Sequence, residues 1–396
     1  LFLAFTTGAK LMVPERTVLP YVFPAAALAM FVSVVFNAHL AVVVSILLGL
    51  IVGLLRGGSL ELAAYMTLGG AMAALSLRRT ERLYAFFWAG TWVALVNLLA
   101  LVVFRLPAAN LDTPGWALLV GAALANGIVL SPVVTLAGFF LLSRPFDFVT
   151  ALQLHELARP NHPLLQELLR KSPGTYHHSL MVGNLAEQAA EAIGADALLT
   201  RVGAFYHDIG KTIQPYFYVE NQVEGQNVHD RLDPRTSAQI LIGHVKEGIE
   251  LARRYRLPSR VRAFIPEHHG TMRVSFLYQK ALELAGNGGA VNESAFRYPG
   301  PKPQSKETAL LMLADSCEAA VRSARPTSLE EIDAIVRKVI ADRVSQGQLD
   351  ECGLTLQDLE KVRASFVTTL KGTFHPRLKY PEAEPPVREP ARPPTP

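Results

Sequence analysis

The chain opens on a succession of apolar runs at 1–13, 20–36, 40–55, 60–77, 83–104 and 116–142, each closed by a short polar break. Most of the complete runs approach the roughly 20 residues that an α-helix needs to cross a hydrocarbon core. The pattern predicts a polytopic helix bundle with about six crossings, the first of them incomplete. Connectors as short as "NAH" (37–39) and "RGGS" (56–59) require antiparallel neighbours. The run at 116–142 contains Asn126-Gly127 and Ser131-Pro132, so it is either one kinked helix or two shorter pieces; neighbouring helices can satisfy the backbone groups that a proline frees.

Charge sharpens this picture. The acidic residues of 1–143 are Glu15, Glu61, Glu81 and Asp112, against Lys10, Arg16, Arg56, Arg78, Arg79, Arg82 and Arg105. So few charges would leave the helical core of a soluble protein without a surface, which disfavours that alternative. No ionisable group sits near mid-span, and His39 lies in a connector, so a transport path built on intramembrane charge has no support. Arg78, Arg79 and Arg82 concentrate positive charge in one loop, which the positive-inside bias places in the cytoplasm. Counting forward, 83–104 runs outward and 116–142 returns, delivering Arg144 and all that follows to the cytoplasm. The expectation is a multi-pass protein of the cell membrane, with the lipid bilayer as a partner.

From Phe148 onward the apolar spacing becomes that of amphipathic helices, with loops marked by Pro and Gly and no convincing period-2 stretch. Met181, Leu185, Ala189 and Ile193 fall at four-residue steps, and Leu198, Val202 and Phe205 continue the habit. Further helices are expected over 237–255 and 307–324, and Ser328 with Glu331 predicts a capping box opening another. The fold class is therefore all-α: a transmembrane bundle (1–147), a cytoplasmic all-helical domain (148–378) and a tail (379–396). The tail's stretch "PEAEPPVREPARPPTP" is expected to be disordered or extended. Cys317 and Cys352 suit neither a disulfide framework nor a thiolate zinc site, and favour a reducing compartment. The net charge of +4, without a Lys/Arg-rich run, argues against a nucleic acid polymer as partner. The first residue is Leu1, inside an apolar run, and the chain is read as a fragment whose upstream part is missing.

Metal-type side chains recur on or at the ends of these helices: His178, His207-Asp208, His244, His268-His269 and Asp315. Taken singly, His244 reads as a hydrogen-bonded core histidine, Asp315 as a cap or an arginine's partner, and His268-His269 as a polar helix end. A carboxylate amid Leu311, Met312, Leu313 and Ala314 nevertheless costs several kcal/mol unless something compensates it. Imidazole and carboxylate suit iron, manganese or zinc. The set exceeds one tetrahedral site, whereas two ions about 3.5–4 Å apart would use it and clamp a phosphoryl centre.

In order, "HHS", "HDIGK", "GH", "EHH" and "AD" resemble the HD-domain metal-dependent phosphohydrolases, and more closely the seven-transmembrane HD family. Members of that family place a membrane bundle before a cytoplasmic HD domain and hydrolyse cyclic di-AMP to pApA. The HD doublet alone is weak, but the ordered set attached to a bundle is specific. "PNHPLLQELLRKSPGTYHHSLMVGNLAE" (160–187), "GAFYHDIGK" (203–211), "ENQ" (220–222), "HHGTMRVSFLY" (268–278) and "FRYPGPKPQSKETALLMLADSCEAAVR" (296–322) extend the likeness along the chain. Family members also carry an extracellular domain ahead of the bundle, which this chain lacks together with the first crossing, so the extracellular signal ligand is unreadable.

Carried over residue by residue, the resemblance makes His178, His207, Asp208, His244, His268, His269 and Asp315 the ligands of a binuclear centre. Its metals would be two divalent ions, iron or alternatively manganese, with Asp208 as the bridging carboxylate. His178 is chosen over His177 because neighbouring helical residues point about 100° apart. The implied reaction is attack by a bridging hydroxide on phosphorus, with a 3'-oxygen leaving. Asp208 and Lys211 form the catalytic set; the Lys211 ammonium either meets a phosphate oxygen or holds a ligand carboxylate, against the plain alternative of a solvated lysine. Tyr176, Asn221, His229 and Arg325 are candidates for substrate contact. The loop "RYPGPKPQS" (297–305) either covers one side of the cleft or packs on the helical surface.

Among rival readings, a cyclic di-GMP phosphodiesterase of the HD-GYP kind is disfavoured. The chain runs "GTMRVSFLYQ" after His269, and Arg297-Tyr298-Pro299 is its only similar tripeptide. A deoxynucleotide triphosphohydrolase would not be expected to carry a bundle. A membrane receptor whose HD domain binds a cyclic dinucleotide without cutting it is the rival from another class. Whether the chain forms a homodimer is left open.

Overall fold

The computed structural model describes the chain except residues 15, 78–82, 108–112, 223–226, 287–289 and 374–396, and the side chain at 144. The arginine-rich loop and the proline-rich tail lie outside the described residues. The first half is a bundle of α1 (Phe2–Met12), α2 (Leu19–Val22), α3 (Ala25–Val35), α4 (Ala38–Leu55), α5 (Leu60–Ser76), α6 (Tyr84–Arg105), α7 (Thr113–Leu124) and α8 (Ser131–Phe146). Asn37 and Ser59 cap α4 and α5 by accepting from Leu40 N and Leu62 N. Of the six expected crossings, three helical passages are long and apolar enough by themselves: Ala38–Leu55, Tyr84–Arg105 and Thr113–Ser143. Leu19–Val35 and Leu60–Ser76 are shorter apolar helices. At 1.5 Å per residue the latter reaches roughly 25 Å, a little less than a hydrocarbon core of about 30 Å. Leu47, Leu50, Trp88, Trp92 and Phe140 point outward, where lipid rather than water suits them.

Two irregularities in the bundle compensate each other. The run expected over 20–36 is interrupted, because Pro24 has no N–H and forces Phe23 out of helical conformation (φ −58°, ψ 119°), so α2 ends and α3 restarts. The long last run is a single helical passage whose middle, Ala125–Leu130, is π-helical. Asn126 lies in that π segment, and its Nδ2 donates to Tyr21 O (2.8 Å) and Phe23 O (2.9 Å), the carbonyls released by the break. Ser131 Oγ donates to Asn126 Oδ1 and fixes the amide's orientation, while Tyr65 Oη donates to Tyr21 O. The π segment packs directly on α6: a Cβ on Gly127 would fall 2.6 Å from Ala94 N.

The second half is a helical domain of α9 (Ala151–Leu157), α10 (Pro163–Lys171), α11 (Pro173–Ile193), α12 (Ala197–Tyr206), α13 (Pro234–Arg254), α14 (Ser259–Glu267), α15 (Ser275–Ala285), α16 (Lys306–Ala324), α17 (Leu329–Ser345) and α18 (Leu356–Thr373). Among the described residues there is no strand, only an isolated antiparallel bridge between Arg273 and Arg297. α11 is central, packed against α12, α16 and α18 through Val182, Leu185 and Ala189. It ends at Gly194, whose φ of +74° an L side chain rarely adopts. The capping box expected at Ser328 forms by half: Ser328 Oγ accepts from Glu331 N, but the Glu331 carboxylate reaches past it to Thr327 N. A reciprocal box forms instead at Ser305 and Thr308, opening α16.

Candidate metal centre

α11, α12, α13, α14 and α16 each bring a metal-type side chain to one buried point. α12 runs out at Tyr206, so His207 and Asp208 occupy the turn where its last carbonyls meet a 3-10 segment, Ile209–Thr212. Gly210 lets this turn lie against α13, since a Cβ there would sit 1.9 Å from His244 O. Asp208, 1% exposed, is the hub. Its Oδ2 lies 3.1 Å from His207 Nε2 and 3.8 Å from His178 Nε2, and its Oδ1 lies 3.3 Å from His244 Nε2 and 3.7 Å from His268 Nε2. The two oxygens of one carboxylate thus face two separate histidine sets. Asp315 Oδ1 is 3.0 Å from His178 Nε2 and joins the first set. His269 belongs with the second: the ligand atoms of His244, His268 and His269 lie within 4.8 Å of one another, as do those of His178, His207 and Asp208.

The tautomers are set by neighbours. His207 Nδ1 lies 2.7 Å from Ala204 O, His244 Nδ1 2.6 Å from Leu241 O and His268 Nδ1 2.7 Å from Ile265 O. A carbonyl only accepts, so Nδ1 carries the proton in each and Nε2 keeps its lone pair. Those Nε2 atoms and Asp208 Oδ1 are buried and have no hydrogen-bond partner among the described residues. Unsatisfied buried polar atoms cost about 1–3 kcal/mol each, and these four unpartnered atoms are all acceptors, so a cation is the group that satisfies them. The donor set fits a divalent metal pair.

The electrostatics follow the same geometry. Burial pushes the Asp208 carboxyl up, but His207 and Lys211 outweigh it and hold the group well below the usual carboxylate range. Burial opposes Asp315 likewise, and the His178 hydrogen bond brings it down. Burial also opposes the His178 imidazolium, yet Asp315 and Glu318 raise it to about 9. His268 goes the other way, down to about 3, through burial and then the neighbouring His207. Burial lowers His244 and, more strongly, His269. The second set is thus neutral and basic only toward a metal.

Lys211 takes the carboxylate-holding place of its two expected ones: Nζ lies 2.7 Å from Asp208 Oδ2 and 2.8 Å from Glu220 Oε1. Burial opposes its charge, and the two carboxylates raise it well above a free lysine's pKa. His229 lines a cavity of about 650 Å³ that also touches Lys211, Tyr218, His244, His269 and Tyr298. Its Nε2 donates to Phe217 O. Arg325 lines a second hollow of about 420 Å³ together with His177, His178, Glu318 and Arg322. Asn221 is not among the residues that line either hollow; its Nδ2 donates to Thr175 Oγ1 and its Oδ1 accepts from Thr175 N. Tyr176 is not brought to the cluster; it packs against the domain core, beside Ser179 and Phe205. The 297–305 loop meets both expectations: Tyr298 walls the larger cavity, stacked on His269 at 4.0 Å, while Gln304 N donates to buried Glu267.

Sequence reasoning missed Glu318, whose Oε2 accepts from His178 Nδ1 at 2.8 Å, and Glu220, which anchors Lys211. It also missed Arg343, which reaches the larger cavity from α17. Glu318 had a signal: it lies three residues after Asp315, one helical turn along the same face.

A membrane helix bundle joined to a helical domain with this His/Asp constellation defines the seven-transmembrane HD class, and the chain belongs to that family. Residues 1–150 match the family described as "7TM receptor with intracellular HD hydrolase", and residues 175–320 match the HD domain. The chain is 38% identical over 372 residues to the cyclic-di-AMP phosphodiesterase PgpH of Bacillus subtilis (strain 168), covering 92% of this chain and 52% of that protein. It is also 38% identical over 373 residues to PgpH of Listeria monocytogenes serotype 1/2a (strain 10403S), covering 91% and 50%. A crystal structure of the L. monocytogenes PgpH HD domain in complex with cyclic-di-AMP matches with a TM-score of 0.52 and 46% identity, over 55% of this chain and 100% of that one. The chain spans about half the length of the curated relatives it matches.

Proposed function

We propose that this membrane protein is a metal-dependent phosphodiesterase that hydrolyses cyclic di-AMP to pApA, with its HD domain on the cytoplasmic face. One observation carries the reading: the two oxygens of Asp208 face opposed histidine sets, in which the Nε2 atoms of His207, His244 and His268 are buried without a hydrogen-bond partner among the described residues. The relatives named as cyclic-di-AMP phosphodiesterases supply the substrate. One divalent ion would be held by His178, His207, Asp315 and Asp208 Oδ2, the other by His244, His268, His269 and Asp208 Oδ1. A set of imidazoles and carboxylates without thiolate suits iron or manganese. Bound there, the ions supply Lewis acidity toward a phosphoryl oxygen and a lowered pKa for water.

The chain's own residues do the rest. Lys211, clamped between Asp208 and Glu220, keeps Asp208 ionised and turned toward both histidine sets. The cavity of about 650 Å³ falls in the 300–1,000 Å³ range typical of small-ligand sites, and its Tyr218 and Tyr298 rings offer flat apolar surface to a base. Val219 and Glu220 border both hollows, so the cluster is open to a ligand from two sides. Free, buried Cys317 and Cys352 are consistent with a reducing cytoplasm.

The test is metal analysis of the full chain with and without Asp208→Ala, beside chromatographic detection of pApA from cyclic di-AMP. Two ions per chain and pApA formation are expected for the wild type, with loss of both in the variant. A metal-free protein that binds the dinucleotide and never cuts it would instead be the receptor.

A further inference from the structure

We propose that Arg343 receives the phosphate of the cyclic dinucleotide that is not cut, making it a substrate-positioning residue contributed from outside the stretch that matches the HD domain. The inference rests on the proposed function and deepens it. Arg343 lies on α17, beyond residue 320 where the HD match ends, yet it lines the same cavity as His244, His269 and Tyr298. Its Nη2 donates to Ser316 Oγ at 3.1 Å, which holds the guanidinium beside Asp315. Its Nε is buried and has no hydrogen-bond partner among the described residues.

Charge bookkeeping within the cavity singles it out. Lys211 is engaged by Asp208 and Glu220. Arg273 lies 3.3 Å from Glu293 and over the Tyr278 ring at 4.4 Å. Among the described residues, Arg343 alone of the cavity's lysines and arginines makes no ion pair with a carboxylate. A cyclic dinucleotide carries two phosphodiesters in one closed ring, so with one at the His/Asp cluster and the ring lying in the larger of the two hollows, the other falls among that cavity's walls. That second anion is costly to bury unless a cation meets it. A guanidinium offers a planar fork of donors that matches two phosphate oxygens at once, which a lysine cannot reproduce.

The experiment compares full-length wild type, Arg343→Ala and Arg343→Lys on two substrates: cyclic di-AMP, and bis(p-nitrophenyl) phosphate, which has one phosphodiester and no second phosphate. Losing a hydrogen-bonded charge raises KM for cyclic di-AMP by about tenfold to a hundredfold. The expected result for Arg343→Ala is a loss in kcat/KM on cyclic di-AMP that exceeds the loss on the small diester by tenfold or more, carried by KM. Arg343→Lys retains the charge without the fork and falls between. Equal losses on both substrates would make Arg343 a brace for Ser316 and Asp315, and no loss on either would remove it from the site; both overturn the inference. If the alanine variant does not fold, the lysine variant decides by the same comparison of losses. A wild type that cuts the small diester but not cyclic di-AMP refutes the substrate reading itself, and this inference with it.

Discussion

Replacing Glu318 separates the two proposed ions. Its Oε2 accepts from His178 Nδ1 at 2.8 Å, its Oε1 lies 3.4 Å from Arg322 Nη1, and its side chain is 3% exposed. A carboxylate behind a metal-binding histidine fixes the ring and raises its basicity, and removing it typically costs 10–100-fold in metal affinity. At 1.36 kcal/mol per factor of ten, that is about 1.4–2.7 kcal/mol. Glu318→Gln keeps the size and an accepting oxygen and loses only the charge, so it belongs near the lower figure. Glu318→Ala leaves Nδ1 without an acceptor and belongs near the upper one. His244 and His268 are anchored on Leu241 O and Ile265 O instead, and neither anchor involves Glu318. Calorimetric titration of metal-stripped protein with Mn(II) is therefore expected to show one weakened site and one unchanged. Equal weakening of both sites, or of neither, refutes the division of ligands between the two Asp208 oxygens.

Three further outcomes are expected. In metal-stripped protein, His178 is raised to about 9, so its contribution to stability is complete below the unfolded pKa of roughly 6.5 and is lost as pH rises through 9. The lowered His244, His268 and His269 act oppositely and cost stability as pH falls below that value, so thermal midpoints should peak near neutrality, and His178→Asn should flatten the alkaline side. Gly174→Ala puts a Cβ 1.8 Å from Glu220 O and must shift the turn that carries Lys211's partner; activity should fall at least tenfold with helicity by circular dichroism retained, and an active variant would show that the turn does not position the site. Asn126→Leu leaves Tyr21 O and Phe23 O without that donor and should lower stability in detergent by about 1–3 kcal/mol, read as the thermal midpoint; an unchanged midpoint would show the helix break needs no such partner.

Much of this architecture was legible from spacing, and the reasons differ by level. Apolar runs become helices because every backbone group in lipid must bond within its own segment, which leaves little choice. The break at Pro24 was legible in principle, since a proline after Phe23 restricts its neighbour, but the apolar character of 20–36 masked it. The π segment was not legible: it depends on Asn126 meeting carbonyls more than a hundred residues away. The half-formed capping box is a local matter: the Glu331 carboxylate accepts from Thr327 N while its own N–H meets Ser328 Oγ.

At the site, Asp315 stood out because a carboxylate amid Leu311, Met312, Leu313 and Ala314 is costly to bury, and the histidines and Asp208 stood out only as an ordered set of motifs. Glu318, Glu220 and Arg343 did not, because acidic or basic residues on amphipathic helices and turns look like solvated surface until the partner is known. The partners are remote in sequence: His178 for Glu318 and Ser316 for Arg343. A chain in which "HDIGK" and every histidine survive but Glu318 or Glu220 is replaced would therefore keep the full signature and lose what orients it. Glu318 governs the His178 ring and Glu220 governs Lys211, so the first loss acts on one histidine set and the second on the carboxylate between both. Two variants with the same intact motif should consequently fail differently, the one in metal affinity at a single site and the other at the bridging position.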